Sequence, residues 1–81
     1  LFNIAMAYSE GGKPGDAARI LDRVLDSEPD FCERNPKACV NAAMAYRKAG
    51  RPADARRLIE TALEKEPELR EAREMLQSLA Q

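Results

Sequence analysis

The sequence has no histidine and no tryptophan, and it contains only two cysteines. Without histidine the commonest general base is missing. The sequence also has no phosphate-binding loop, no nucleophile elbow and no cluster of metal ligands. Two cysteines are too few for a disulfide framework, and they lack the spacing of a zinc site. We therefore predict no enzyme activity and no metal or other cofactor.

Long apolar runs and blocks of like charge are also missing. No apolar stretch reaches the roughly 18 residues that suggest a membrane span, and no signal-peptide pattern occurs. Thirteen basic and 14 acidic residues give a net charge of −1, with both signs interleaved. Nucleic acid and anionic membranes are therefore poor candidate partners. We expect a soluble chain without membrane insertion; composition leaves the compartment open, with the cytoplasm slightly favoured.

What the sequence does contain is an internal repeat, which decides the architecture. Residues 3–8 read NIAMAY and residues 41–46 read NAAMAY, so five of the six positions agree. A shift of 38 residues aligns the two copies over their whole length. Beyond the hexapeptide, the residues with identical partners are Gly12, Pro14, Asp16, Ala17, Arg19, Leu25, Glu28 and Pro29.

Each copy predicts two helices joined by a tight turn. Apolar residues recur at helical spacing, and Gly11, Gly12 and Gly50 interrupt the two runs. Pro29 and Pro67 end the second helix of each copy. Because the turns are short, each pair of helices is expected to be antiparallel. The predicted packing positions are Leu1, Ile4, Ala5, Tyr8, Ala17, Leu21, Val24 and Leu25, then Cys39, Ala42, Ala43, Tyr46, Ala55, Leu58, Ile59, Ala62 and Leu63.

This pattern resembles the tetratricopeptide repeat, which reads W-x₂-L-G-x₂-Y…A-x₃-F…P over roughly 34 residues. The tyrosines, the second-helix alanines and the prolines match, whereas Leu or Cys and Ala replace the tryptophan and glycine. The resemblance covers essentially the whole chain and implies an all-α fold, an α-solenoid of antiparallel helical hairpins. The matching positions are Leu1, Ile4, Ala5, Tyr8, Ala17, Leu21 and Pro29, then Cys39, Ala42, Ala43, Tyr46, Ala55, Ile59 and Pro67.

Four segments are predicted along the chain, with five helices in total. Residues 1–31 form a first repeat whose start looks truncated, because Leu1 already lies inside a helix. Residues 32–35 are an inserted connector, expected to extend a helix end or to bulge as a loop. Residues 36–67 form the second repeat, and residues 68–81 form a helix that caps the array. The apolar stripe of this capping helix consists of Leu69, Ala72, Leu76 and Leu79.

The connector contains two further predictions. We expect Cys32 and Cys39 to be free thiols, with Cys39 in the core. A disulfide is the alternative if Cys32 lies in a loop that folds back, since seven residues within one helix separate them too far. Asn35 before Pro36 predicts an N-cap, and Phe31 is expected to pack over the end of the preceding helix.

In the tetratricopeptide family the first helix of each hairpin lines a concave groove that binds ligands. Asn3 and Asn41 each offer a donor and an acceptor to the backbone of an extended peptide. Met6 and Met44 can adapt to varied side chains. An alternative remains open, in which these four side chains only contact neighbouring helices. The full candidate set for peptide binding is Phe2, Asn3, Met6, Lys37, Val40, Asn41, Met44, Arg47 and Lys48.

The basic residues Lys37, Arg47 and Lys48 would favour an acidic or C-terminal carboxylate ligand. Family members that clamp chaperone tails carry an arginine where this chain has Asn41, so a solvated charged edge is the preferred interpretation. The sequence thus predicts a non-catalytic module that binds a peptide or a partner protein.

A structural role is the alternative function. The chain would then self-associate as a homo-oligomer through Leu1, Phe2 and Ile4, or serve as a spacer within a larger protein.

Overall fold

The computed structural model describes residues 1–79 and contains six α-helices in that range. The all-α class is therefore confirmed. The prediction of five helices is wrong, because most of the connector 32–35 belongs to an additional short helix that begins at Phe31. The last two residues of the predicted capping segment 68–81 lie outside the described range. The helices are α1 (Phe2–Glu10), α2 (Pro14–Ser27), α3 (Phe31–Arg34), α4 (Pro36–Lys48), α5 (Pro52–Lys65) and α6 (Arg70–Leu79).

The helices pack as two hairpins followed by one more helix. α1 packs against α2 and α4 against α5, while α2 contacts α4 and α5 contacts α6. The turn glycines Gly12 and Gly50 have φ angles of 81° and 79°, a left-handed conformation that favours glycine. After each glycine, the next amide donates to the carbonyl of Tyr8 or Tyr46, at 2.8 and 2.9 Å. This bond satisfies a carbonyl at the helix end, so the sequence repeat produces the same turn twice.

Small residues allow the helices to approach closely. Ala5, Ala17, Ala43 and Ala55 are fully buried, and these are repeat positions at which the sequence keeps alanine in both copies. The largest fully buried side chain is that of Tyr46. The core thus lies between the hairpins, where α2 meets α4, as well as inside each hairpin.

The apolar stripe predicted for α1 is only partly buried. Ala5 is buried, but Leu1, Ile4 and Tyr8 keep 58%, 51% and 39% of their surface exposed. Their counterparts in the second repeat are buried because α2 and α3 pack on α4. No helix within residues 1–79 covers the equivalent face of α1. Those buried counterparts are Cys39, Ala42 and Tyr46.

A disulfide joins Cys32 of α3 to Cys39 of α4, with the two Cα atoms 5.2 Å apart. The prediction of free thiols is therefore wrong, whereas the core position of Cys39 is confirmed. The helical conformation is interrupted at Asn35, between α3 and α4. The two cysteines therefore lie on separate helices and come within bonding range. Asn35 occupies the N-cap position without a capping bond, and its side-chain amide instead donates to the Phe31 carbonyl at 3.3 Å.

The short helix α3 also connects the two hairpins. The Phe31 ring is buried, and its centroid lies 5.1 Å from that of Phe2 in α1. Glu33 of α3 faces Lys65 of α5, with 3.9 Å between the carboxylate oxygen and the ammonium nitrogen. The inserted residues therefore fill the space between α1 and α5 instead of bulging into solvent as a loop.

Candidate functional site

A groove of about 260 Å³ lies between α4 and α6. Four of the predicted binding residues line its α4 wall, where positions three or four apart share one helix face. They are Val40, Asn41, Met44 and Arg47. These four side chains therefore lie on one surface of α4. The sequence did not predict the opposite wall of the groove.

The opposite wall of the groove comes from α6. Its lining residues are Glu71, Glu74, Met75 and Ser78. None of them was among the predicted site residues. The sequence could have indicated Met75, because it follows Asn41 by the roughly 34 residues of the usual family period and so occupies the equivalent position. The connector inserted after the first repeat changes the period there but leaves the normal spacing between the second repeat and α6.

The floor of the groove is apolar and its rim is polar. Val40 and Met75 are 4% and 5% exposed, so they form the floor. Met44 is 36% exposed beside them, and Asn41 is exposed on the rim. Thioether side chains on both walls give the floor an adaptable shape. Such a surface suits an apolar side chain from a partner.

The two repeat asparagines have exposed side chains. Within residues 1–79, neither the Asn3 nor the Asn41 carboxamide has a hydrogen-bond partner. Each is also exposed. The alternative interpretation, that these amides bond to a neighbouring helix, therefore finds no support in the part of the chain that the structure describes.

The charges on the two walls of the groove do not neutralise each other. The Arg47 guanidinium donates a long hydrogen bond of 3.4 Å to the Ser78 hydroxyl. Over the described range, Arg47, Glu71 and Glu74 form no ion pair within 4.0 Å. The groove therefore presents charges of both signs to an incoming ligand.

The other predicted residues lie elsewhere. Phe2 and Asn3 line a separate cavity of about 260 Å³ beside the end of α2. Met6 is half-buried against the core, and Lys37 lies at a shallow depression near α6. Lys48 is exposed near the end of α4. The two asparagines of the repeat thus belong to different cavities.

A partly exposed polar network connects α4 to α2 and to the start of α5. The Tyr46 hydroxyl donates to the Asp22 carboxylate at 2.7 Å, and the Arg51 guanidinium donates two bonds of 2.9 Å to the same carboxylate. The guanidinium also lies 4.7 Å from the centroid of the Tyr46 ring. Arg51 lowers the pKa of Asp22, while burial raises the pKa of the Tyr46 phenol. The network links α2 to both ends of the α4–α5 turn.

The repeated hairpins define a helical-repeat protein. A family model described as tetratricopeptide repeat matches residues 7–81. Because this match covers most of the chain, the protein belongs to the tetratricopeptide repeat family, and the resemblance seen in the sequence is confirmed. Repeats of this family generally mediate protein–protein interactions and are non-catalytic.

Comparisons with curated proteins and with solved structures find no match. No helix among residues 1–79 is long and apolar enough to cross a membrane.

Proposed function

We propose that the α4–α6 groove binds an extended peptide, or an extended segment of a partner protein, with the hairpins arranged as an α-solenoid. The observation that carries this proposal is the free carboxamide of Asn41 on the rim of an apolar floor. Members of the family generally bind protein partners, so we expect the ligand to be a peptide or a protein. The α4–α6 groove is the surface at which we propose that this ligand binds.

The chemistry of the groove matches a peptide. The Asn41 carboxamide can donate to a backbone carbonyl and accept from a backbone amide of one extended residue. The apolar floor of Val40 and Met75, with Met44 beside it, can cover one apolar side chain of the ligand. Each hydrogen bond contributes only about 0.5–1.5 kcal/mol net, and ordering the peptide offsets part of the gain. We therefore expect affinities weaker than about 1 μM.

A peptide array probed with the intact protein tests the proposal, followed by titration of the best ligands. Asn41→Ala is expected to weaken capture by roughly 3- to 10-fold, since it removes one or two hydrogen bonds. The matched change Asn3→Ala lies in the other cavity. It should weaken capture only if the ligand also reaches α1, and it should have no effect on a ligand that contacts α4 and α6 alone. Unchanged capture by the double variant, with its melting temperature intact, would contradict the proposal.

A second candidate function is self-association through α1. Leu1, Ile4 and Tyr8 form an exposed apolar face whose counterpart in the second repeat is fully covered. Exposed apolar patches often mark protein interfaces. Phe2 contributes less than expected to this face, because its half-buried ring packs on Phe31.

Sedimentation equilibrium over a range of concentrations tests self-association. If α1 forms the interface, Ile4→Asp abolishes the dimer, whereas Met44→Asp in the groove leaves it intact. A monomer at all concentrations would rule out this second function and leave the peptide groove as the candidate.

A further inference from the structure

The charges of the α4–α6 groove specify its ligand more closely, an inference that rests on the proposed peptide-binding function. Considered alone, α4 carries Lys37, Arg47 and Lys48 and favours an acidic ligand. The structure places α6 opposite, and Glu71 and Glu74 then face the groove. The electrostatic character of the site therefore depends on both helices.

The order of these charges along the groove follows from the topology. Two short connections reverse the chain between α4 and α6, so these two helices run in the same direction. Arg47 lies beside Ser78 at the C-terminal end of the groove. Glu71 precedes Ser78 by seven residues, which places it about 10 Å away along the helix axis. The acidic end of the groove is therefore its N-terminal end, where Asn41 also lies.

Helix stability does not account for both glutamates. Glu71 lies in the first turn of α6, where a carboxylate interacts favourably with the helix dipole. Glu74 lies one turn later, beyond the range of that effect. Glu74 also borders a second cavity that contains Arg70 and Arg73, yet it forms no ion pair with either within 4.0 Å.

Nearby cations do not remove the acidic character of this end. Lys37 borders a depression outside the groove, where three acidic side chains outnumber the two basic ones, Lys37 and Arg70. Within the described residues, Lys37 forms no ion pair. The carboxylates next to Asn41 are thus available to a cation from a ligand.

We propose that the ligand of this groove is a peptide segment with an apolar side chain and a nearby lysine or arginine. The apolar side chain enters between Val40 and Met75, and the cation reaches Glu71 and Glu74. Met75 follows Glu71 by one helical turn, about 6 Å. Residues two apart in an extended chain lie on one face and are separated by about 6.6 Å. The cation and the apolar anchor are therefore two positions apart in the ligand.

Three capped peptides with the same glycine–serine background test this inference. Each has leucine at one position and lysine, glutamine or glutamate two positions away. Titration of the intact ¹⁵N-labelled protein, followed by NMR, measures weak binding and reports on the Asn41 and Met44 amides. We expect the lysine peptide to bind roughly 10-fold more tightly than the glutamate peptide, with the glutamine peptide between them. Because the glutamates are solvated, the difference should shrink as salt is added.

Two charge-matched double variants locate the effect. Glu71→Gln with Glu74→Gln should reduce the preference for lysine to about 2-fold or less. Glu10→Gln with Glu64→Gln removes the same charge from exposed positions outside the groove and should leave the preference intact. If both variants lose the preference equally, the effect comes from net charge and the proposed contact is wrong.

The titrations distinguish a groove without a charge preference from a surface that binds no peptide. Equal binding of all three peptides, with shifts at Asn41 and Met44, would keep the peptide groove and overturn the charge preference. Tighter binding of the glutamate peptide would also overturn it, and would point to Arg47 instead. If none of the peptides perturbs Asn41 or Met44, both the charge preference and the groove are wrong.

Discussion

The hydroxyl of Tyr46 in α4 donates a hydrogen bond of 2.7 Å to the Asp22 carboxylate in α2, which connects the two repeats. Arg51 completes the contact with two bonds to the same carboxylate. The equivalent tyrosine of the first repeat, Tyr8, is 39% exposed. The same residue type in the same repeat position is therefore part of an interhelical network in one copy and of an exposed surface in the other.

The two tyrosines provide a matched pair for a stability test. Tyr46→Phe removes the hydroxyl that bonds to Asp22 and should lower the free energy of unfolding by about 1–2 kcal/mol. Tyr8→Phe removes an exposed hydroxyl and should change the free energy by less than about 0.5 kcal/mol. Urea unfolding followed by circular dichroism measures both. Equal effects would mean that the Tyr46–Asp22 bond does not stabilise the packing of α2 on α4.

The lowered pKa of Asp22 predicts a loss of stability in acid. Because Arg51 bonds to the ionised carboxylate, the pKa of Asp22 lies below its ordinary value of 3.8. Its contribution to stability is present above that value and is lost as the pH falls through the pKa of the folded state. The Asp22 and Arg51 side chains are both more than a third exposed, so solvent weakens their interaction. We therefore expect the ion pair to contribute about 1 kcal/mol to the free energy of unfolding.

Unfolding at pH 7 and near pH 3 tests the contribution of Asp22. Asp22→Asn should lower stability at pH 7 and reduce the difference between the two pH values. Asp26→Asn, a change at an exposed position of the same helix, should retain the full acid dependence. If the Asp22→Asn variant loses as much stability in acid as the unmodified chain, another carboxylate is responsible.

The disulfide predicts that a reducing agent destabilises the protein. In the chain-entropy treatment, a cross-link across so short a loop stabilises the folded state by about 2–3 kcal/mol. Dithiothreitol should therefore lower the melting temperature by roughly 10 °C or more for a chain of this size. The Cys32→Ala variant should melt at a similarly low temperature with or without reductant. Two reactive thiols in the untreated protein would contradict the Cys32–Cys39 bond.

Two glycines should respond to alanine substitution in opposite directions. Gly50 has a φ of 79°, which alanine rarely adopts, so Gly50→Ala should cost about 1 kcal/mol. Gly15 is the second residue of α2, and a Cβ atom there would meet no atom within 4 Å apart from its chain neighbours and the nearby backbone of its own helix. Gly15→Ala should therefore stabilise the protein by about 0.5–1 kcal/mol. Melting curves of the two variants check the prediction, which fails if both change in the same direction.

Much of the fold was predictable from local sequence. Pro36 was expected to follow an N-cap and begins α4, and Gly12 and Gly50, which were expected to interrupt the helical runs, form the turns inside the hairpins. These assignments succeed because a proline at the first helical position and a glycine with positive φ depend on the backbone of a few neighbouring residues. The buried stripe of α4 was predicted correctly for the same reason, since helical periodicity alone identifies it.

The connector shows where local reasoning failed. Residues 32–35 were expected to extend a helix or bulge, yet Phe31 begins a short helix α3 that packs on α4 and α5. A helix of one turn is not stable by itself. Its stability comes from the buried Phe31 side chain, which was expected to pack, and from the Cys32–Cys39 bond, which was only the alternative to free thiols.

The candidate site was predicted only on one wall. Val40, Asn41, Met44 and Arg47 follow from helix periodicity and the family resemblance, and they do line one groove. The glutamates on the opposite wall belong to another helix, so their approach depends on how α5 and α6 pack.

From its sequence alone this chain is a pair of tetratricopeptide hairpins followed by a further helix, since backbone chemistry and helical spacing act over a few residues. Only the tertiary structure decides that Tyr46 is buried while Tyr8 is exposed, and that Glu71 and Glu74 of α6 line the same groove as Asn41. The physical reason is that burial and electrostatic environment are set by side chains distant in sequence. Local patterns cannot specify them until the helices are packed.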